Sequence, residues 1–228
     1  MTFADRLVAA WYAPRLEALS AALVPLAAIY AGAVAARRSL YRLGVLRVAR
    51  VRAPVVVVGN LTAGGSGKTP LAIAVAEALA SRGRRPGFVS RGYGRRGASP
   101  RLVAPGDDAD DVGDEPLLLA ATGRPVAVGR RRADAARLLL DRDPSCDVVV
   151  ADDGLQHYAL ARDVEIAAID DARGLGNGWM LPAGPLREPR SRLGEVDAVV
   201  RLVPAGAWRA TGDPRETLMI GDTTHDLE

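Results

Sequence analysis

Lysine is nearly absent from this 228-residue chain: of its 30 basic residues 29 are arginine, and Lys68 stands alone. Cysteine is as scarce. With Cys146 the sole thiol, an internal disulfide is excluded and a reducing compartment fits. The only histidines are His157 and His225, and no Cys/His spacing of the zinc-binding kind exists. Charge is missing from residues 18–36, and acid is missing from residues 37–52, where six arginines fall. This uneven distribution says more about partners than the net charge of +3. There is no internal repeat and no low-complexity linker. An apolar content of 49% argues against disorder, and the length suits one large α/β core with room for a small appendage.

The lone lysine sits in the stretch that organises the chain, residues 54–71. Val55-Val56-Val57-Val58 reads as a buried strand, Gly59-Asn60-Leu61 follows, and Thr62-Ala63-Gly64-Gly65-Ser66-Gly67-Lys68-Thr69 leads into helical spacing at Leu71, Val75, Ala78 and Leu79. Strand, glycine-rich loop and helix are the context of a phosphate-binding loop, in which backbone N–H groups and a helix N-terminus converge on anionic oxygens. Lys68 is then placed for the β/γ-phosphates and Thr69 for Mg²⁺. An ammonium is a compact point charge, which suits phosphate in a chain that otherwise uses arginine. The general pattern asks for glycine where this chain has Thr62.

Residues 18–36 are uncharged and apolar, with Leu19, Leu23, Val24, Leu26, Ile29, Tyr30 and Val34, but alanine-rich and interrupted by Pro25. That is near the lower limit for a membrane-spanning helix, so a span is open but not compelled. Glu17 and Asp5 before it, and the arginine block after it, argue against a cleaved signal peptide. Trp11, Tyr12, Tyr30 and Tyr41 are candidate interface anchors, and the arginines are candidates for anionic headgroups. The competing reading is a helix packed on the core with a solvated arginine face.

Further along, Pro86-Gly87-Phe88-Val89-Ser90 reads as a strand that delivers the basic loop Arg91-Gly92-Tyr93-Gly94-Arg95-Arg96-Gly97, suited to anionic or sugar-like groups or simply a flexible surface loop. An acidic run from Asp107 leads to Gly113-Asp114-Glu115-Pro116, with Pro116 expected at the first helical position and Asp114 or Glu115 at the cap. The same Asp-Glu pair suits metal binding or proton abstraction from an acceptor hydroxyl. A strand over residues 125–129 and a helix over 131–140 precede Val148-Val149-Val150-Ala151-Asp152-Asp153-Gly154. Here a strand ends in two aspartates, as when a second strand presents a carboxylate to the Mg²⁺ of a nucleotide. Strands over 164–169 and 197–203 complete the pattern. The fold class read from this is α/β, a P-loop NTPase-type, mostly parallel sheet flanked by helices, with an N-terminal membrane-associated helix.

Taken together, Val58-Gly59-Asn60-Leu61-Thr62, Gly64-Gly65-Ser66-Gly67-Lys68-Thr69-Pro70, Ser90-Arg91-Gly92-Tyr93-Gly94, Gly113-Asp114-Glu115-Pro116, Asp152-Asp153-Gly154-Leu155-Gln156-His157 and Leu181-Pro182-Ala183-Gly184-Pro185-Leu186-Arg187-Glu188 resemble the tetraacyldisaccharide 4'-kinases. These lipid A pathway enzymes phosphorylate a membrane-bound lipid disaccharide. The likeness runs over residues 2–203, and threonine at the first loop position is how that family writes its phosphate loop.

The resemblance implies ATP and Mg²⁺ as cofactors and transfer of the γ-phosphate to the 4'-hydroxyl of a tetraacyldisaccharide 1-phosphate. It implies a place on the cytoplasmic face of the bacterial inner membrane, peripheral or monotopic with a single span open, beside anionic lipids; neither nucleic acid nor an obligate protein partner is implied. It makes Asp114 the catalytic base and Lys68 the phosphate-binding cation, within a nucleotide loop of Thr62, Ala63, Gly64, Gly65, Ser66, Gly67, Lys68 and Thr69. It gives Thr69, Glu115 and Asp152 or Asp153 to the metal, and Tyr93, Arg132 and Arg187 to the lipid disaccharide. The alternatives are a membrane-associated P-loop ATPase switch, or a catalytically incomplete kinase fragment that binds nucleotide only.

The expected segments are a membrane-associated helix and basic segment over 1–52, a P-loop kinase core over 53–203, and an atypical tail over 204–228 in place of the family's C-terminal domain. That domain supplies a histidine to the base aspartate; His157 belongs to another motif. The end of the chain, Leu218-Met219-Ile220-Gly221-Asp222-Thr223-Thr224-His225-Asp226, resembles the acidic motif of haloacid dehalogenase-type phosphatases. Asp108-Ala109-Asp110-Asp111-Val112 fits their nucleophile string formally, but no apolar strand precedes it and the sole lysine lies before it. A truncated or fused reading frame accounts better for the tail.

Overall fold

The computed structural model describes residues 2–64, 67–202, 208–211 and 217–220. By their contacts the residues fall into two compact units, one of Leu43–Gly59 and Lys68–Ile166, the other of Met1–Arg42, Asn60–Gly67 and Ala167–Glu228.

The first unit is built on five strands. β1 (Val55–Gly59), β2 (Pro86–Ser90), β4 (Val126–Val128) and β5 (Val148–Asp152) run parallel, in the order β4-β2-β5-β1, and the short β3 (Arg101–Leu102) adds an antiparallel edge on β4. Every residue of β1, β2, β4 and β5 is buried. Parallel strands covered on both faces read as continuous apolar runs, which is why the valine run of β1 carries no alternation. Each such valine gains about 1.5–3 kcal/mol from burial. Pro86 is tolerated because it begins its strand.

Helices α4 (Lys68–Ser81), α6 (Asp114–Ala120) and α7 (Arg132–Arg142) cover this sheet. α4 packs on β1, β2 and β5, α7 on β2, β3 and β4, and α6 on β2 and β4. α4 is alanine- and leucine-rich, with Leu71, Ala72 and Ala76 buried, and its Pro70 falls in the first turn, where no intrahelical N–H is needed. The one-turn α5 (Ala109–Val112) is capped by the Asp108 carboxylate, which accepts from the Asp111 amide at 3.0 Å. α6 begins differently from the expectation. Gly113 is its N-cap, so Asp114 and Glu115 lie inside the first turn and Pro116 is its third residue.

The second unit holds the N-terminal helices α1 (Phe3–Trp11), α2 (Ala18–Ala22) and α3 (Val24–Arg42). The uncharged stretch is therefore not one helix, because the chain breaks at Leu23 and Pro25 enters the first turn of α3, its preferred kind of position. No helix among the described residues is long and apolar enough to cross a membrane. β6 (Val164–Asp170) starts in the first unit and ends in the second, where β7 (Ala198–Leu202), β8 (Trp208–Thr211) and β9 (Thr217–Ile220) form an antiparallel meander. Of the phosphatase-like end, residues 221–228 lie outside the described ones.

The arginine block is partly spent on the protein itself. Arg38 and Arg42 pair with Glu195 at 2.5 and 2.9 Å, and Arg52 pairs with Asp141 at 3.3 Å.

Candidate functional site

β5 ends at Asp152 and α4 begins at Lys68, so parallel pairing of β1 with β5, Val58 opposite Asp152, brings the two signals together. The Thr69 hydroxyl donates to Asp152 Oδ2 at 3.0 Å, and Lys68 Nζ lies 3.8 Å from Asp153 Oδ1. Lys68, Thr69 and Asp152 are buried. Asp152 Oδ1 is buried and, among the described residues, accepts no hydrogen bond. Burial pushes the Asp152 carboxyl up to about 6, and the charges of Glu115 and Asp153 push the same way, while the Thr69 hydroxyl and Lys68 act against them.

An orphaned, buried carboxylate oxygen beside a threonine hydroxyl is a donor set that fits a hard cation. No group of three or more His, Cys, Asp or Glu side chains among the described residues forms a metal shell. Mg²⁺ does not require one, because it keeps waters and takes one or two carboxylates together with phosphate oxygens. Thr69 and Asp152 fit that description directly; Glu115 is near enough to act on Asp152 electrostatically, and Asp153 faces Lys68.

Close backbone approaches shape the surroundings. A Cβ on Gly59 would meet Leu155 at 2.9 Å, and one on Gly154 would meet Val57 Cγ1 at 2.8 Å, so glycine allows β1 to lie against the turn after β5. Within that turn Asp153 has φ +49°, a left-handed conformation uncommon outside glycine and typical of functional turns. Arg132 braces it from the start of α7. Its guanidinium is buried and donates to Gly129 O (3.4 Å) and Asp153 O (3.3 Å), and its amide donates to His157 Nε2 (3.3 Å). Burial lowers the Arg132 pKa to about 10, against the raising effect of Asp153.

Asp114 is exposed in the first turn of α6 and Glu115 half-buried beside it. Tyr93 is 79% exposed. The two loops meet backbone to backbone, since a Cβ on Gly113 (φ +92°) would come within 2.8 Å of Tyr93 O, and one on Gly92 (φ +64°) within 2.5 Å of Val112 O. Lys68, Thr69, Tyr93, Asp114, Glu115, Arg132, Asp152 and Asp153 thus all belong to the first unit.

Thr62, Ala63, Gly64 and Gly67 belong to the second unit, with Arg187; Gly65 and Ser66 lie outside the described residues. There the loop is strapped to the Leu-Pro-Ala-Gly-Pro-Leu-Arg segment. Ala63 N–H donates to Pro185 O (2.7 Å), Arg187 N–H donates to Leu61 O (2.6 Å), and Thr62 bridges Leu186. The N-terminal helices hold the strap in turn, through Trp11 Nε1 on Pro182 O (2.8 Å) and the Tyr30 hydroxyl on Arg187 O (3.1 Å). Trp11 and Tyr30 were expected as membrane-interface anchors; both spend their polar atoms inside the protein. No sequence spacing marks them as partners of a loop more than thirty residues away, though a buried Trp N–H or Tyr O–H ordinarily finds an acceptor.

The family model described as tetraacyldisaccharide-1-P 4'-kinase matches residues 19–223. Among curated proteins, the tetraacyldisaccharide 4'-kinase of Acidovorax ebreus is 52% identical over 223 residues, which are 97% of this chain and 64% of the relative. That of Alkalilimnicola ehrlichii is 59% identical over 181 residues, 78% of this chain and 54% of the relative. Among solved structures, the crystal structure of LpxK from Aquifex aeolicus in complex with ATP superposes with a TM-score of 0.72 at 33% identity, covering 80% of this chain and 58% of that one. The chain therefore spans between half and two thirds of the length of these relatives, and over that span it has their α/β P-loop architecture. It belongs to the tetraacyldisaccharide-1-P 4'-kinase family.

Proposed function

We propose that the protein takes part in ATP-dependent phosphoryl transfer to the 4'-hydroxyl of a tetraacyldisaccharide 1-phosphate. The observation that carries this reading is the buried Thr69–Asp152 pair, with its orphaned carboxylate oxygen, beside Lys68 at the start of the helix that follows the phosphate loop. The family match over the later loops favours a kinase over an ATPase switch.

Phosphoryl transfer demands positioning and charge neutralisation more than covalent chemistry by the protein. The backbone amides of residues 62–67 and the Lys68 ammonium bind the nucleotide phosphates. Thr69 and Asp152 would hold Mg²⁺, with Glu115 and Asp153 in support, and the ion would supply neutralisation of the phosphates' charge. Asp114 is exposed to an incoming acceptor and takes the proton of its hydroxyl. Tyr93, Arg132 and Arg187 are assigned to the disaccharide, Arg132 from its buried place behind the Asp153 turn.

The acceptor is a lipid, and residues 1–52 are proposed to seat the kinase core of residues 53–203 on a membrane surface, on its cytoplasmic face. Support comes from apolar side chains that α1 and α3 leave in solvent, Phe3, Val8, Leu26 and Ile29, the last 70% exposed. A surface-docked site spares acyl chains the transfer into water, at about 0.8 kcal/mol per CH₂.

The test is transfer of radiolabelled γ-phosphate from ATP to the disaccharide 1-phosphate, by this chain and by a full-length relative carrying the same motifs. Transfer by the relative that is lost on replacing its counterpart of Asp114 supports the reading. No transfer by the relative overturns it.

A further inference from the structure

β2 and β4 run parallel with Ser90 opposite Val128, and Gly129 N–H donates to Ser90 O at 3.0 Å, so the chain leaves both strands side by side. β3 then returns along β4 with Arg101 opposite Val128, and Pro100 sits where a Cβ on Gly129 would touch it at 3.4 Å. Residues 91–101 and 129–132 therefore share one rim at the carboxyl ends of parallel strands, the edge at which open α/β sheets take ligands.

Arg95 is set into this rim by three contacts. Its amide donates to Gly92 O (3.3 Å), its Nη2 donates to Ser99 O (2.6 Å), and its stem covers Gly92, where an added Cβ would come within 2.5 Å of Cδ. Its Nε is buried and, among the described residues, has no hydrogen-bond partner. Burial first, and then the positive charges of Arg101 and Arg130, which are close enough to act on it, lower its pKa.

The neighbours are neutralised where this pair is not. Arg101 bonds to Asp107 at 2.5 Å and Arg96 to Asp110, whereas among the described residues no carboxylate pairs with Arg95 or Arg130. Guanidiniums gathered without acid repel one another, and an anion between them removes that cost. A phosphate suits the arrangement, because the planar fork of arginine matches phosphate oxygens two at a time. The rim is also joined to the carboxylate site, since Arg132 spans Gly129 O and Asp153 O, and Gly113, next to Asp114, abuts Tyr93 O.

We propose that Arg95 and Arg130 form a subsite for the phosphate that the acceptor already carries, holding the sugar phosphate at the rim while its free hydroxyl faces Asp114. This deepens the phosphoryl-transfer reading and rests on it for the identity of the acceptor.

The test uses the full chain, with Mg²⁺ and a non-hydrolysable ATP analogue present so that the phosphate loop is filled. Glucosamine 1-phosphate, glucosamine and inorganic phosphate are the probes, and calorimetric affinity is the readout. The expected result is a preference of about tenfold for glucosamine 1-phosphate over glucosamine, which the double variant Arg95→Gln/Arg130→Gln loses while its affinity for the ATP analogue stays within about twofold. Arg130→Gln alone removes an exposed group that no described residue holds, so it tests the subsite without disturbing packing, and it reduces the preference in the same direction. Equal affinity of wild type for the two sugars overturns the proposal, as does an unchanged preference in both variants. Inorganic phosphate binding as tightly as the sugar phosphate overturns the acceptor assignment. The sugar-phosphate preference in this chain together with no transfer by the full-length relative would sink the kinase reading and leave the subsite standing; transfer by the relative without the preference does the reverse.

Discussion

The Thr69 hydroxyl donates to Asp152 Oδ2 at 3.0 Å, tying the first turn of α4 to the last residue of β5. Thr69→Val keeps the side-chain shape and removes this donor. The expected outcome is a loss of about 10–100-fold in nucleotide affinity measured with Mg²⁺, and little change in its absence. Isothermal titration in the two conditions checks it, and equal losses in both would assign Thr69 to nucleotide contact rather than to the metal.

The Asp152 carboxyl, raised to about 6 by burial first and Glu115 second, makes binding pH-dependent. Its folded-state value lies above the ordinary 3.8, so its favourable contribution to stability is present below pH about 4 and is lost as pH rises through about 6. Cation binding has the opposite sign, because a hard cation needs the ionised group. Mg²⁺–ATP affinity should rise between pH 5 and 6.5 and level off above. Thr69, Asp153, Lys68 and Glu115 all act on this group, so Asp152→Asn is the decisive control: it should flatten the profile.

Gly113 carries φ +92°, with Tyr93 O where a Cβ would stand. Gly113→Ala should cost about 1–3 kcal/mol of stability, read from the urea midpoint, and should lower transfer in a full-length relative by displacing Asp114. A midpoint equal to wild type would show that the two loops separate freely.

Tyr30→Phe removes the donor to Arg187 O and should cost about 1 kcal/mol. Its signature is local. Hydrogen exchange should speed up at the Arg187 and Ala63 amides, which hold the strap to the phosphate loop, while core strands such as β5 keep their protection.

Leu26→Asp/Ile29→Asp charges the exposed face of α3 without touching the core. Co-sedimentation with anionic phospholipid vesicles should fall severalfold, with the thermal midpoint unchanged. Unaltered sedimentation would remove α3 from the proposed docking surface.

Sequence and structure agree best where one short segment contains its own explanation. β1, β2 and β5 fall where their apolar runs place them, because a strand buried on both faces declares itself in composition. Less was legible at the N-terminus. Nineteen uncharged residues look continuous on paper, yet Leu23 breaks them and Pro25 starts a new helix instead of kinking an old one. The two-residue β3 gave no signal, since a strand that short has no period to read.

By itself the sequence determined the class of chemistry, for a phosphate loop and an aspartate-ended strand are local patterns set by backbone geometry and charge. Only the tertiary structure decided which groups act on one another. It gave Asp152 a hydroxyl partner and a bare oxygen, bound the phosphate loop through Arg187 to Tyr30, and gathered Arg95 and Arg130 on one rim. Burial, hydrogen-bond partnership and the repulsion of like charges depend on distances in space, which chain positions tens of residues apart do not encode.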